Sequence, residues 1–223
     1  MDDISLRVLA QLEPEGLDAE GQSWQQRKSV QTRVTILEAA IDCLEKHGYG
    51  RTTTQLIAEM AGVSRGAMLH HYATKHDLIA SVIDYTCYRR MALFLEGIRA
   101  LKDSARINEM AGIEISWRSM MTREFAAYLE LAVAARTDPG LAEIFLPKAR
   151  RIDQTALDEI IRAFPEWAEN PEGYALAMDY ANAVLEGLVI NRDIWAERDQ
   201  RVLCQFVGQT IAMLRRGELR RPV

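Results

Sequence analysis

The stretch TQLIAEMAGVSRGAMLHHYATKHDL, residues 54–78, decides how the rest of the chain is read. It spells two short helical segments joined by the tight turn Ala61-Gly62-Val63. Thr53 stands where the first segment needs an N-cap, and its hydroxyl acts alone because Leu56, not an acid, follows three residues on. Gly62 suits a turn position with positive φ, and Val63 can plug the angle between the segments. Ala58 is small enough for the second segment to cross closely. This spacing fits a helix-turn-helix and a generic helical hairpin equally well. The stretch also holds three of the four histidines: His70, His71 and His76.

Working outward, the same helical period continues. Val30, Val34, Leu37, Ile41 and Leu44 form one face of an amphipathic helix, which Gly48 ends in a left-handed stop. Ser64 opens the second short helix, and Thr74 with Asp77 forms a capping box for a helix running to about residue 100. Two helices are expected over 106–136, stopping before Asp138-Pro139-Gly140, and one over 141–163. A loop at 164–171 precedes two last helices at 172–195 and 199–216. There is no strand alternation and no internal repeat. The expected fold is all-α with about nine helices.

Composition bounds the function. Apolar residues make up 48% of the 223, enough for a core, and the three cysteines are dispersed without a CxxC pair. A reduced, cytoplasmic protein is expected. The acidic N-terminus does not resemble a signal peptide, and no apolar run is long enough to span a membrane. The net charge of −5 is unevenly spread: −5 over residues 1–23, +3 over 24–90 and −3 over 91–223. The positive segment holds every histidine, as a separate nucleic-acid module would. Residues 1–24 read as a flexible acidic extension, although Ile4, Leu6, Val8, Leu9 and Leu12 also fit a short helical turn.

Residues 36–83, ILEAAIDCLEKHGYGRTTTQLIAEMAGVSRGAMLHHYATKHDLIASVI, resemble the DNA-binding domain of the TetR/AcrR family of transcriptional regulators. The likeness includes Gly48-Tyr49, Ile57-Ala58, Ala61-Gly62-Val63-Ser64, Gly66-Ala67, His71-Tyr72 and Lys75. It implies a three-helix helix-turn-helix domain at 25–74, followed by a larger helical effector-binding and dimerisation domain at 75–223. It also implies roles. Ser64 and Arg65 open the recognition helix, and Arg65 can grip guanine O6 and N7, a contact worth ~1–3 kcal/mol of discrimination. Gly66 and Ala67 let the backbone approach the groove, while Met68 and Tyr72 turn inward. His70, His71 and Lys75 match phosphate-contact positions, with Thr53 at the edge of the same face. Arg27, Lys28 and Arg33 near the start of the first helix are further phosphate contacts or unpartnered surface charges. Leu69 departs from the family, which commonly has Tyr there.

The C-terminal half resembles the family in layout alone. Met110, Ile113, Trp117, Met121, Phe125 and Tyr128, with Tyr174 and Met178, suit either ordinary core or an apolar effector pocket whose lining can repack. The segment 174–190 carries only Asp179 and Glu186 as charges. One stripe comprises Tyr174, Met178, Ala181, Leu185, Leu188 and Arg192, and a second comprises Ala183, Gly187, Ile190 and Ile194. The expected homodimer interface comprises Leu185, Leu188 and Trp195 with Leu203, Phe206, Val207, Thr210 and Leu214 of the last helix.

Metal binding does not fit the histidines. His70 and His71 point ~100° apart on a helix and lack convergent partners. No nucleophile, phosphate loop or carboxylate pair marks an enzyme, so no catalytic residue, cofactor or metal is expected. The sequence therefore reads as a regulator, most simply a repressor, that holds a double-stranded DNA operator as a homodimer and is released by a small apolar or amphipathic effector. A DNA-binding regulator without an effector is one rival. An all-α enzyme or carrier is the other.

Overall fold

The computed structural model describes residues 2–17, 23–101, 109–161, 167, 170–195 and 199–219. Among these are ten α-helices and no strand: α1 Asp2–Leu12, α2 Trp24–His47, α3 Thr54–Ala61, α4 Arg65–His71, α5 Lys75–Ala100, α6 Glu109–Met120, α7 Arg123–Ala134, α8 Pro139–Ile160, α9 Pro171–Ile190 and α10 Gln200–Arg215. The all-α expectation holds, with α1 as an addition in the acidic N-terminal stretch. Val8 and Leu12, one turn apart on α1, are both buried, so that stretch contributes apolar anchors as well as charge.

Local signals explain most boundaries. Ser23 and Gln26 close a full capping box at the start of α2, a start that the apolar stripe beginning at Val30 did not reveal. The Thr53 hydroxyl accepts from the Leu56 N–H at 3.1 Å. Thr74 and Asp77 cap α5 reciprocally, the Thr74 N–H donating to Asp77 at 3.0 Å and the Asp77 N–H to the Thr74 hydroxyl at 3.1 Å. Two expectations shift. Gly48 has φ 73° but ψ 165°, so it turns the chain with positive φ and extended ψ rather than in the left-handed helical region. The helix expected to reach residue 195 ends at Ile190, where the Asn191 side chain takes the Gly187 carbonyl at 2.8 Å and stops propagation. Residues 106–108 and most of the 164–171 loop lie outside the described residues.

The chain divides into two compact units: residues 9–91 with 123–153, and residues 1–8 with 92–122 and 154–223. In the first, α2 packs against α3 and α7. Its core gathers Ile36, Leu37, Ile41 and Leu44 of α2, Ile57 of α3, Met68 of α4, Leu78 and Ile83 of α5, and Leu131 of α7. In the second, α6, α9 and α10 pack on one another around Ile113, Tyr174, Leu185, Val207 and Ile211. Among the described residues no helix is long and apolar enough to cross a membrane.

Candidate nucleic-acid interface and effector region

The turn between α3 and α4 determines which face of α4 is free. Gly62 adopts φ 66°, ψ 25°, the left-handed conformation that only glycine enters without steric cost. The Val63 N–H returns to the Ala58 carbonyl at 3.0 Å and the Gly62 N–H to Glu59 at 3.2 Å, a paired C-terminal closure that ends α3 within one residue. Ser64 then caps α4 by accepting from the Ala67 N–H at 3.1 Å. Met68 and Tyr72 are buried beneath the helix, and Arg65, Gly66, Leu69 and His70 are exposed, with Ala67 half-buried beside them. Leu69 is 46% exposed, an apolar side chain held in solvent on the face that carries the arginine.

The surrounding candidates differ in how free they are. Thr53 is exposed at the start of α3. Lys75 is half-buried: its ammonium lies 4.2 Å from the Tyr49 ring centroid and donates to the Tyr49 carbonyl at 3.3 Å. Burial lowers its pKa, opposed by Asp138. Lys75 therefore tethers the α2–α3 connection as well as offering charge. Arg33 is half-buried, its guanidinium resting on Gly16 so closely that a Cβ there would collide with Nη1. His71 is half-buried with its ring 5.4 Å from that of His70. Burial, then Arg33, then His70 push the His71 imidazole below its ordinary value, so at neutral pH it offers an N–H rather than a full charge.

A polar clamp that sequence reading did not identify sits behind these helices. Arg123, the first residue of α7, pairs with Glu38 and, at 2.5 Å, with Asp42, carboxylates one turn apart on α2. Burial alone would favour loss of the Arg123 proton, but hydrogen bonds to Asp42 and Glu38 outweigh it and hold the guanidinium charged. Tyr85 of α5 donates its hydroxyl to Glu38. Two turns along α7, Glu130 accepts from the Tyr49 N–H at 2.7 Å. Helix α7 thus grips α2 at its middle and just beyond its end. The i, i+4 carboxylates Glu38 and Asp42 were the available signal, but nothing local names their partner.

The expected effector residues fall in both units. Met110, Ile113, Trp117, Met121, Tyr174 and Met178 belong to the second, where Ile113 and Tyr174 are buried and Met121 is exposed. Met110 lies directly over Gly208, whose lack of a Cβ makes room for its sulfur. Phe125 and Tyr128 belong to the first unit and stack with ring centroids 6.4 Å apart. The expected interface residues also separate. Leu185, Leu188, Val207 and Leu214 are buried within the chain itself, and Trp195, Leu203 and Thr210 are half-buried. Phe206 alone of that set is exposed, at 58%. The stripe that faces out is the other one, with Ala183, Ile190 and Ile194 exposed on or just beyond α9 and Val202 beside Phe206 on α10.

Comparison with known proteins agrees with this layout. The sequence profile of bacterial regulatory proteins of the tetR family matches residues 36–82. The transcriptional repressor AcnR of Corynebacterium diphtheriae is 28% identical over 138 residues, 58% of this chain and 64% of that protein, so the match leaves about a third of AcnR uncovered. An uncharacterised helix-turn-helix regulator of Mycobacterium tuberculosis is 28% identical over 171 residues, 76% of this chain and 87% of that one. A solved TetR-family member from Streptomyces coelicolor superposes with TM-score 0.63 at 16% identity, covering 82% of this chain and 98% of that one, a likeness of fold. The helix-turn-helix, whose turn, caps and exposed face all follow from its residues, lies within the segment that matches the tetR family of bacterial regulatory proteins.

Proposed function

We propose that this protein is a transcriptional repressor that binds a pseudo-palindromic DNA operator as a homodimer and leaves it when a small amphipathic molecule binds. The observation that carries the reading is the exposed Arg65–Gly66–Leu69–His70 face of a Ser64-capped helix whose opposite side, Met68 and Tyr72, is buried. Such a helix enters the major groove N-terminus first, bringing Arg65 to base edges and leaving His70, His71, Arg33 and Thr53 for the backbone. Leu69 lacks a hydroxyl for phosphate and packs on sugars or thymine methyls. The unpartnered apolar stripe of Ile190, Ile194, Val202 and Phe206 supplies the two-fold contact that sets two recognition helices on one duplex. Selection of bound duplexes from a random pool tests this. An inverted repeat with half-sites about 10 bp, or a multiple, apart is expected; enrichment of a single unrepeated site would remove the dimer reading.

The His71 environment gives a pH dependence. In the free chain its pKa is depressed, whereas a neighbouring phosphate favours the protonated ring and raises it. The complex therefore holds more proton than its parts, and affinity at fixed salt increases as pH falls from about 8 to about 6. Fluorescence anisotropy with labelled operator measures this. His71→Gln should flatten the profile, and an equally steep profile would remove His71 from the interface.

A further inference from the structure

Four buried polar atoms on helix α5 have no hydrogen-bond partner, Asp84 Oδ1, Thr86 Oγ1, Arg89 Nε and Arg90 Nε, and two of them, on Thr86 and Arg90, lie one turn apart on one face. Thr86 is fully buried and its hydroxyl has no hydrogen-bond partner. Arg90, at i+4 on the same face, has a buried Nε that is also unpartnered. The Arg90 guanidinium carbon lies 4.2 Å from the Tyr128 ring centroid and 4.7 Å from that of Phe125. Tyr128 in turn meets Phe145 of α8 at 5.3 Å, giving a three-ring wall within the first unit. The nearest carboxylates on these helices face other cations: Glu124 faces Arg89 at 3.8 Å and Arg123 at 3.7 Å, and Asp84 is held through Oδ2 by Lys148, with Arg151 at 3.9 Å from its otherwise unbonded Oδ1. Among the described residues no carboxylate pairs with Arg90.

Aromatic faces stabilise a cation in part, but they do not replace a counter-ion or satisfy a buried N–H. Valine in place of Thr86, or methionine in place of Arg90, would fill similar space without the desolvation penalty. Two such groups on one helix face, beside rings that can cover an apolar body, form an incomplete binding site rather than a settled core. We propose that Arg90 and Thr86 bind the head group of a monocarboxylate effector whose flat or chain-like apolar part lies on Phe125, Tyr128 and Phe145. The guanidinium fork matches a carboxylate, and the hydroxyl supplies one further donor. Asp84 and Glu124 nearby oppose a doubly charged phosphate. The proposal rests on the effector-responsive reading above and names the effector's chemical class. It also links the site to DNA: Phe125 lies in the same turn of α7 as Arg123, which holds Glu38 and Asp42 of α2. A ligand that lifts Arg90 from its rings displaces that turn.

The test uses the full-length protein with millimolar benzoate, phenylacetate and octanoate, each against its uncharged amide, and with inorganic phosphate. At least one acid should raise the melting temperature and release labelled operator, while its amide and phosphate do neither. Thr86→Val should melt at the wild-type temperature or above and lose the acid response. Arg90→Gln should lose the response yet still bind operator, and Arg90→Lys, which keeps the charge without the fork, should respond about tenfold more weakly. The proposal is overturned if no acid outperforms its amide, if Arg90→Gln responds like wild type, or if Thr86→Val melts earlier. Wild-type protein that binds no DNA would instead overturn the regulator reading, leaving the acid-dependent melting shift to judge the site.

Discussion

Phe206→Glu combined with Ile190→Glu is expected to yield a folded monomer whose operator affinity falls about 10²- to 10⁴-fold, the range lost when two linked binding modules act singly. Both side chains are 58% exposed, so the charges enter no core of the chain and helical content and melting temperature should change little. Leu185→Glu is the matched contrast. Leu185 is fully buried among the side chains of its own unit, and a carboxylate there either unfolds that unit or is forced neutral. Light scattering and circular dichroism separate the outcomes: lost dimerisation with intact helix for the exposed pair, lost helix for Leu185. A double variant that remains dimeric would move the contact to another surface.

Arg123→Met is expected to have the largest effect of any substitution in the clamp. It leaves Glu38 and Asp42 facing a side chain that returns no charge. Breaking a fully buried pair costs about 3–5 kcal/mol, and the partial exposure of this one reduces that to about 1–3 kcal/mol. For a chain of this length that corresponds to a melting temperature lower by roughly 2–12 °C. DNA affinity should fall as well, because α2 loses the contact that fixes it against α7. Glu38→Gln with Asp42→Asn in the same chain should recover part of the stability by removing the orphaned charges. Failure of that partial recovery would mean that Arg123 acts through packing of its alkyl stem.

What the sequence revealed depended on the range of each interaction. The Thr53, Ser64 and Thr74–Asp77 caps and the Gly62 turn are contacts between residues three to five apart, and each formed where its chemistry required. The inward Met68 and Tyr72 and the outward Arg65, Leu69 and His70 followed from the 3.6-residue period once α4 was placed. The Arg123 clamp spans 81 and 85 residues and left no trace in local pattern. The Lys75 contact with Tyr49 spans 26 residues, also beyond local pattern, so a residue expected to meet a phosphate is a structural tether as well. On α9 two apolar stripes compete, and periodicity cannot say which one meets α6 and α10. The bulkier stripe, with Tyr174, Leu185 and Leu188, turned inward and left the one with Ala183, Ile190 and Ile194 outside.

Under the proposed function, Arg65 reads a base on each half of a two-fold site. Parallel selections of bound DNA with the wild-type chain and with Arg65→Ala address it directly. The wild type should enrich an inverted repeat with a guanine at one position per half-site, and the variant should recover the same repeat with that position degenerate, a loss of about 1–3 kcal/mol in discrimination. An unchanged motif from Arg65→Ala would remove Arg65 as a reader of the operator.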